Sequence, residues 1–168
     1  MSIFEDMIRH KPIPGLNLYN PLHLLAFGFG SGVMPWAPGT FGTLAAVPLY
    51  LLLRPLPLWS YLLVLLVGFA AGIWLCERTS RDLGVHDHSG IVWDEIIGFL
   101  LTMTLAPPGW LWILLGFVLF RFFDILKPWP IHYIDRQVGG GVGIMLDDQL
   151  AALYALLVML LIARSGVI

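Results

Sequence analysis

Two imidazoles and three carboxylates fall within ten residues in the run His86-Asp87-His88-Ser89-Gly90-Ile91-Val92-Trp93-Asp94-Glu95. Hard oxygen ligands without a thiolate suit magnesium or manganese better than zinc, and Asp87 or His86 could serve as a general base or leaving-group acid. The bland alternative is that Asp94 and Glu95 only complement the dipole of a helix first turn, a gain of about 0.3–1 kcal/mol each. Arg121, Asp124 and Lys127 follow at intervals of three, which sets one acid between two cations along roughly one helical stripe. That pattern is either a structural ion pair or a metal ligand beside phosphate-binding cations. A purely structural pair in lipid rarely offsets its own desolvation.

A third group, Asp147-Asp148, follows the glycine run Gly139-Gly140-Gly141-Val142-Gly143. Glycines let backbone N–H groups approach an anion, although a flexible hinge reads equally well. Asp147 is open to reading as an N-cap. Asp148 shares a face with the small residues Ala151 and Ala152, so it points into a packed interface and is the better ligand candidate. Upstream, Ser31 and Thr40 lie among the glycines of Gly28 to Gly42 and Thr43 directly follows them, a loop that either wraps a phosphate or headgroup or simply reverses the chain. Arg136 is placed to reach the same zone or to form a surface ion pair.

The elements that must position these groups are apolar. The chain is 58% hydrophobic and 12% charged, against roughly 25% charged in soluble domains, and its mean hydropathy is +0.84. These values predict one integral-membrane domain over residues 21–168, preceded by a polar arm over 1–20. An ionisable group at the centre of a membrane helix costs about 2.5–3.5 kcal/mol, so a cluster of acids needs cations or a metal. Nine of the eleven carboxylates lie between Glu77 and Asp148, several of them inside or beside apolar runs. The formal charge of −2, with scattered Lys and Arg, argues against a nucleic-acid partner. The N-terminal residues lack the apolar core of a signal peptide, and the lone Cys76 leaves no intrachain disulfide.

The expected architecture is all-α: a polytopic membrane bundle of about five transmembrane or re-entrant helices, with an interfacial helix over Pro21 to Phe29. The segments are Phe41 to Leu53, short for a full span, then Leu56 to Cys76, Ile91 to Ala106, Trp110 to Ile125 and Leu150 to Ala163. With five crossings and a cytoplasmic N-terminus, seven of the nine Lys and Arg fall on the cytoplasmic side and only Arg54 and Arg164 outside, in line with the positive-inside rule. All the carboxylates then share the cytoplasmic face. Trp36, Trp74, Trp93 and Trp129 would form one interfacial belt, and Trp59, Trp110 and Trp112 the other.

The blocks GFGSGVMPWAPGTFGTLAA, HDHSGIVWDEIIG, FRFFDILKPWPI and GGVGIMLDDQLAA together resemble the phosphatidylglycerophosphatase A family of bacterial membrane phosphatases. The likeness spans roughly residues 20–165. It implies magnesium-dependent removal of the terminal phosphate of phosphatidylglycerophosphate to give phosphatidylglycerol at the inner membrane, with the active site on the cytoplasmic side. The same resemblance points to Asp94, Glu95, Asp124 and Asp148, which would hold the metal, and to Lys127, which would offset phosphoryl charge with help from Arg121 or Arg136. Other phosphatase chemistries fail on spacing. Cys76 has Asp82 where a cysteine phosphatase loop needs arginine, and no DxDx(T/V) block is present. The rival from another class is a small transporter or ion-relay subunit, which would spread its carboxylates over several depths. Neither reading settles the oligomeric state.

Overall fold

A computed structural model describes residues 13–85 and 88–166. Among these the structure is all helical. Helix α1 spans Pro21–Ala26, a 3-10 stretch covers Gly28–Val33, and α2 spans Pro38–Leu53. Then come α3 at Leu58–Leu83, α4 at Trp93–Thr102, α5 at Trp110–Leu126, α6 at Ile131–Gln137 and α7 at Gly140–Ser165.

Local chemistry sets most of the boundaries. Asn20 caps α1 by accepting the Leu22 N–H at 3.0 Å, and proline occupies the first position of both α1 and α2. Helix α3 stops at Gly84, whose φ of +69° supplies the left-handed C-terminal turn. Pro107, Pro108 and Gly109 separate α4 from α5, and Lys127, at φ +43°, ends α5 just before Pro128.

Five helices run along one axis with alternating sense. Gly72 packs on Met145, and Glu77 reaches Gly141, so α3 and α7 are antiparallel. Tyr61 donates to the Leu100 carbonyl and Trp93 Nε1 to the Gly68 carbonyl, so α3 and α4 are antiparallel too. Gly98 faces Phe120 and Gly116 faces Met103, which sets α5 against α4 in the opposite sense. Helix α7 lies at the centre, touching α3, α4, α5 and α6. Its small residues explain why: Ala151, Ala152 and Ala155 are fully buried, and Gly141 lies so close to the Ile73 carbonyl that no β-carbon would fit.

Apolar side chains also cover the outside. Leu62, Leu63, Leu66 and Val67 of α3, Leu111, Leu114 and Val118 of α5, and Leu153, Leu157 and Leu161 of α7 are all exposed. Helices α3 and α7, at 26 residues each, are long and apolar enough to cross a membrane. Only 22% of the most apolar stretch of α3 is buried, which is unlike the core helix of a soluble protein.

Several expectations change. The span expected over Ile91 to Ala106 is a helix of 10 residues, about 15 Å long against a hydrocarbon core of about 30 Å. Its hydrophobicity serves the protein interior: Ile96, Ile97, Phe99 and Leu100 are buried among neighbouring helices. The expected interfacial helix is α1, six residues long and tied to the end of α3, with His23 buried and its Nε2 at 3.3 Å from Asp82. The glycine run after Gly139 is the first turn of α7, and Gly39 to Thr43 belong to α2 rather than to a loop. Trp112 is buried and Trp93 turns inward, while Trp36, Trp59, Trp74, Trp110 and Trp129 remain exposed.

Candidate active site

The first turns of α2 and α4, the last turn of α5 and the second turn of α7 enclose a cavity of about 340 Å³. Five carboxylates line it, from Asp94, Glu95, Asp124, Asp147 and Asp148, against two cations, Arg121 and Lys127. The formal excess is three negative charges in a partly dehydrated space.

Asp94 and Glu95 occupy the first turn of α4, which enters from Val92 with its N–H bonded to the Ala26 carbonyl at 2.8 Å. Asp148 comes from α7, held against α4 where Thr102 also reaches the Ala152 carbonyl. One oxygen from each of Asp94, Glu95 and Asp148 lies within 4.8 Å of the other two. Asp94 Oδ1, Glu95 Oε2 and Asp148 Oδ2 are buried with no hydrogen-bond partner. Buried carboxylate oxygens of like charge are costly when unpartnered, which makes this cluster a candidate to hold a cation. The three oxygens would have to draw closer together to share one magnesium ion. An all-oxygen donor set fits that ion.

Arg121 sits across the cavity on α5. Its Nη1 pairs with Asp124 at 2.5 Å and lies 3.7 Å from Glu95 Oε1, while its Nε is buried without a partner. Asp124 thereby holds the guanidinium and also faces Asp148. Gly39, in the first turn of α2, packs directly on Glu95 and Arg121. The positive end of α2 therefore opens onto the same space.

Lys127 behaves differently from Arg121. Its Nζ donates to Asp147 at 2.6 Å and to Asp135 at 2.8 Å. Burial alone would lower its pKa, but the hydrogen bonds to Asp135 and Asp147 outweigh that and raise it, so the ammonium stays charged. Asp147 is no N-cap: it lies in the second turn of α7 with Oδ1 buried and unpartnered beside the cavity. The N-terminus of α7 is served instead by Glu77 from α3, which accepts the Gly141 N–H at 2.6 Å.

The remaining candidates are elsewhere or undescribed. His86 and Asp87 lie outside the described residues. Ser31 donates to the Gly28 carbonyl at 2.8 Å, and Thr43 is fully buried and donates to the Gly39 carbonyl at 2.9 Å. Thr40 lies in the first turn of α2, and Arg136 is exposed on α6. None of these four lines the cavity. Sequence reasoning missed Asp147 and Gly39. Only the start of α7 at Gly140 reveals the first, and no pattern in the chain marks the second.

Residues 24–163 match the phosphatidylglycerophosphatase A family. The chain is 51% identical over 146 residues to phosphatidylglycerophosphatase A of Escherichia coli, covering 85% of each chain. It is 49% identical to the Haemophilus influenzae protein of the same name over 154 residues, 90% of this chain and 94% of that one. A Bacteroides thetaiotaomicron protein provisionally named as a phosphatidylinositol-3-phosphatase is 37% identical over 149 residues, 84% of this chain and 92% of its own. No solved structure matches. With the family matching residues 24–163 and relatives matching along most of its length, the chain belongs to the phosphatidylglycerophosphatase A family.

Proposed function

We propose that the protein is a phosphatase that hydrolyses the terminal phosphomonoester of phosphatidylglycerophosphate to phosphatidylglycerol and phosphate, in phospholipid synthesis. Family membership supports the reaction. The observation that carries it into chemistry is the convergence of Asp94, Glu95 and Asp148, with unpartnered buried oxygens, beside Arg121.

Asp94, Glu95 and Asp148 are the residues to hold magnesium, with Asp124 next to them. Bound there, the ion supplies positive charge for the phosphoryl oxygens and acidifies a coordinated water. The chain's own groups do the rest. Arg121 Nε is a free donor for a phosphoryl oxygen, fixed in place by Asp124. The first turn of α2, with Gly39 at the wall, offers backbone N–H groups and a favourable dipole to the same anion. Lys127 adds charge at the rim, anchored by Asp147. Water attacks phosphorus, the bond from phosphorus to the glycerol oxygen breaks, and the leaving alkoxide takes up a proton. Asp87 or His86 is the proposed proton carrier.

The apolar rim suits a lipid. Ile125 lines the cavity and is 72% exposed, and Trp36 and Trp129 stand exposed on the segments beside it. The headgroup would enter laterally while the acyl chains stay between helices. We assign the acidic end to the cytoplasmic face of a bacterial inner membrane, with α3 and α7 crossing the bilayer, because Arg78, Arg81, Arg121, Lys127 and Arg136 collect at that end. Clustering at one end also disfavours an ion relay, which needs acids along the path. The test is phosphate release from phosphatidylglycerophosphate by purified protein in detergent. Activity should vanish with EDTA and return with magnesium, and activity that survives complete metal removal refutes the metal assignment.

A further inference from the structure

The opposite end of the bundle carries a second cavity, of about 360 Å³, lined by Tyr50 and Arg54 from the end of α2, Leu56 and Leu58 from the following turn, Tyr61 from α3, and Met103 to Ala106 with Pro108 after α4. Helix α2 has 16 residues, so this cavity lies about 24 Å from the acidic one.

Its electrostatics are the reverse of the first. Every carboxylate among the described residues belongs to the other end, and Arg54 forms no ion pair among them. The two tyrosines differ in a telling way. Tyr61 donates its hydroxyl to the Leu100 carbonyl at 2.6 Å. Tyr50 is 3% exposed and its ring stands edge-on to Phe99, yet among the described residues its hydroxyl has no hydrogen-bond partner. Arg54 at the end of α2 could be explained by that helix's carbonyl dipole alone. The dipole does not account for a cavity at its side that Arg54 shares with Tyr50, whose hydroxyl bonds to no described residue.

Around the opening, Leu56, Leu58 and Leu105 are exposed, and Trp59 and Trp110 stand 71% exposed at the adjoining helix starts. Tryptophans at that level mark the boundary between headgroups and hydrocarbon. An unpaired guanidinium, a free phenol donor and a greasy apron together fit the phosphodiester of a membrane lipid.

We propose that this cavity binds an anionic phospholipid of the leaflet opposite the acidic cavity. Arg54 pairs with its phosphodiester, Tyr50 donates a hydrogen bond to it, and the acyl chains lie over Leu56, Leu58 and Leu105. The site requires that the bundle spans a bilayer, but it is independent of the chemistry in the acidic cavity. An inactive protein would still bind there, and an active one could fail to.

The test is native mass spectrometry of the full chain in neutral detergent, titrated separately with phosphatidylglycerol and phosphatidylcholine. The parent should bind phosphatidylglycerol more tightly than phosphatidylcholine. Arg54→Gln should weaken phosphatidylglycerol about tenfold, as loss of one charge-assisted hydrogen bond implies, with hydrolysis within about twofold of the parent. Arg54→Lys should recover much of the affinity, and Tyr50→Phe should weaken binding without altering the helical circular dichroism. Should Arg54→Gln fold poorly, the other two variants decide the question. Equal affinity of the parent for both lipids overturns the proposal, as does parental phosphatidylglycerol affinity in the Arg54 and Tyr50 variants.

Discussion

Replacing Gly39 by alanine adds one carbon to the wall of the acidic cavity. That carbon would collide with Glu95 Oε1 and stand 2.9 Å from Arg121 Nη1. Both neighbours are the far ends of side chains, so they can yield, and the backbone is spared. Gly39 also sits in a helix with an ordinary φ, where alanine is favoured over glycine by about 1 kcal/mol. Stability should therefore hold or rise slightly while the site distorts. Moving Glu95 and Arg121 by several tenths of an ångström stretches their 3.7 Å approach and spreads the three-carboxylate set. A displacement of about 1 Å in positioned catalytic groups costs about 10²-fold, so a loss of about 10- to 100-fold in kcat is expected. Phosphate release at saturating lipid and magnesium, set beside the thermal midpoint in the same detergent, measures both halves. Gly68→Ala is the control: its added carbon meets the terminal Ile97 Cδ1 at 2.6 Å and touches none of the acids, so it should leave turnover near normal. Parental kcat in Gly39→Ala, or a loss matched by Gly68→Ala, would refute the argument that close backbone approach at α2 shapes the site.

Asp94→Asn and Asp148→Asn should each abolish turnover while the protein still folds, since each removes one of several crowded like charges; near-normal rates in both would remove those residues from the site. Lys127→Ala leaves Asp147 buried without its partner and should cost about 1–3 kcal/mol, whereas Asp135→Ala, on the exposed side of the same lysine, should cost about 0–1 kcal/mol; denaturation midpoints of the pair distinguish them. Gly141→Ala drives a carbon into the Ile73 carbonyl and should destabilise the α3–α7 contact by about 1–3 kcal/mol, seen as a lowered thermal midpoint with kcat per folded molecule retained.

Much of the site was readable because membrane-side acids carry a cost that exposes them. Asp94, Glu95, Asp124 and Asp148 stand out against apolar neighbours, and all four line one cavity. The inward face of Asp148 followed from the alanines one turn on, which are fully buried. The boundaries of α4 were not readable, because a core helix and a membrane span have the same composition when both are apolar on every side. Asp147 was missed for a related reason: the glycines before it look like a loop, and only packing on α3, with Glu77 closing the first turn, makes them helical. Ser31, Thr40 and Thr43 illustrate the converse limit. Hydroxyls among glycines suggest an anion cradle, yet Ser31 and Thr43 turn back to carbonyls three and four residues earlier.

Asp148 belongs to the final helix, whereas Asp94 and Glu95 are made more than fifty positions earlier. A ribosome extending this chain therefore makes two of the three acids long before the third exists. Until the last segment docks through Gly141 against Ile73, the nascent protein holds an incomplete claw. On the proposed function, catalytic competence would arrive together with completion of the fold, and truncated or stalled copies would stay inert toward the lipids around them.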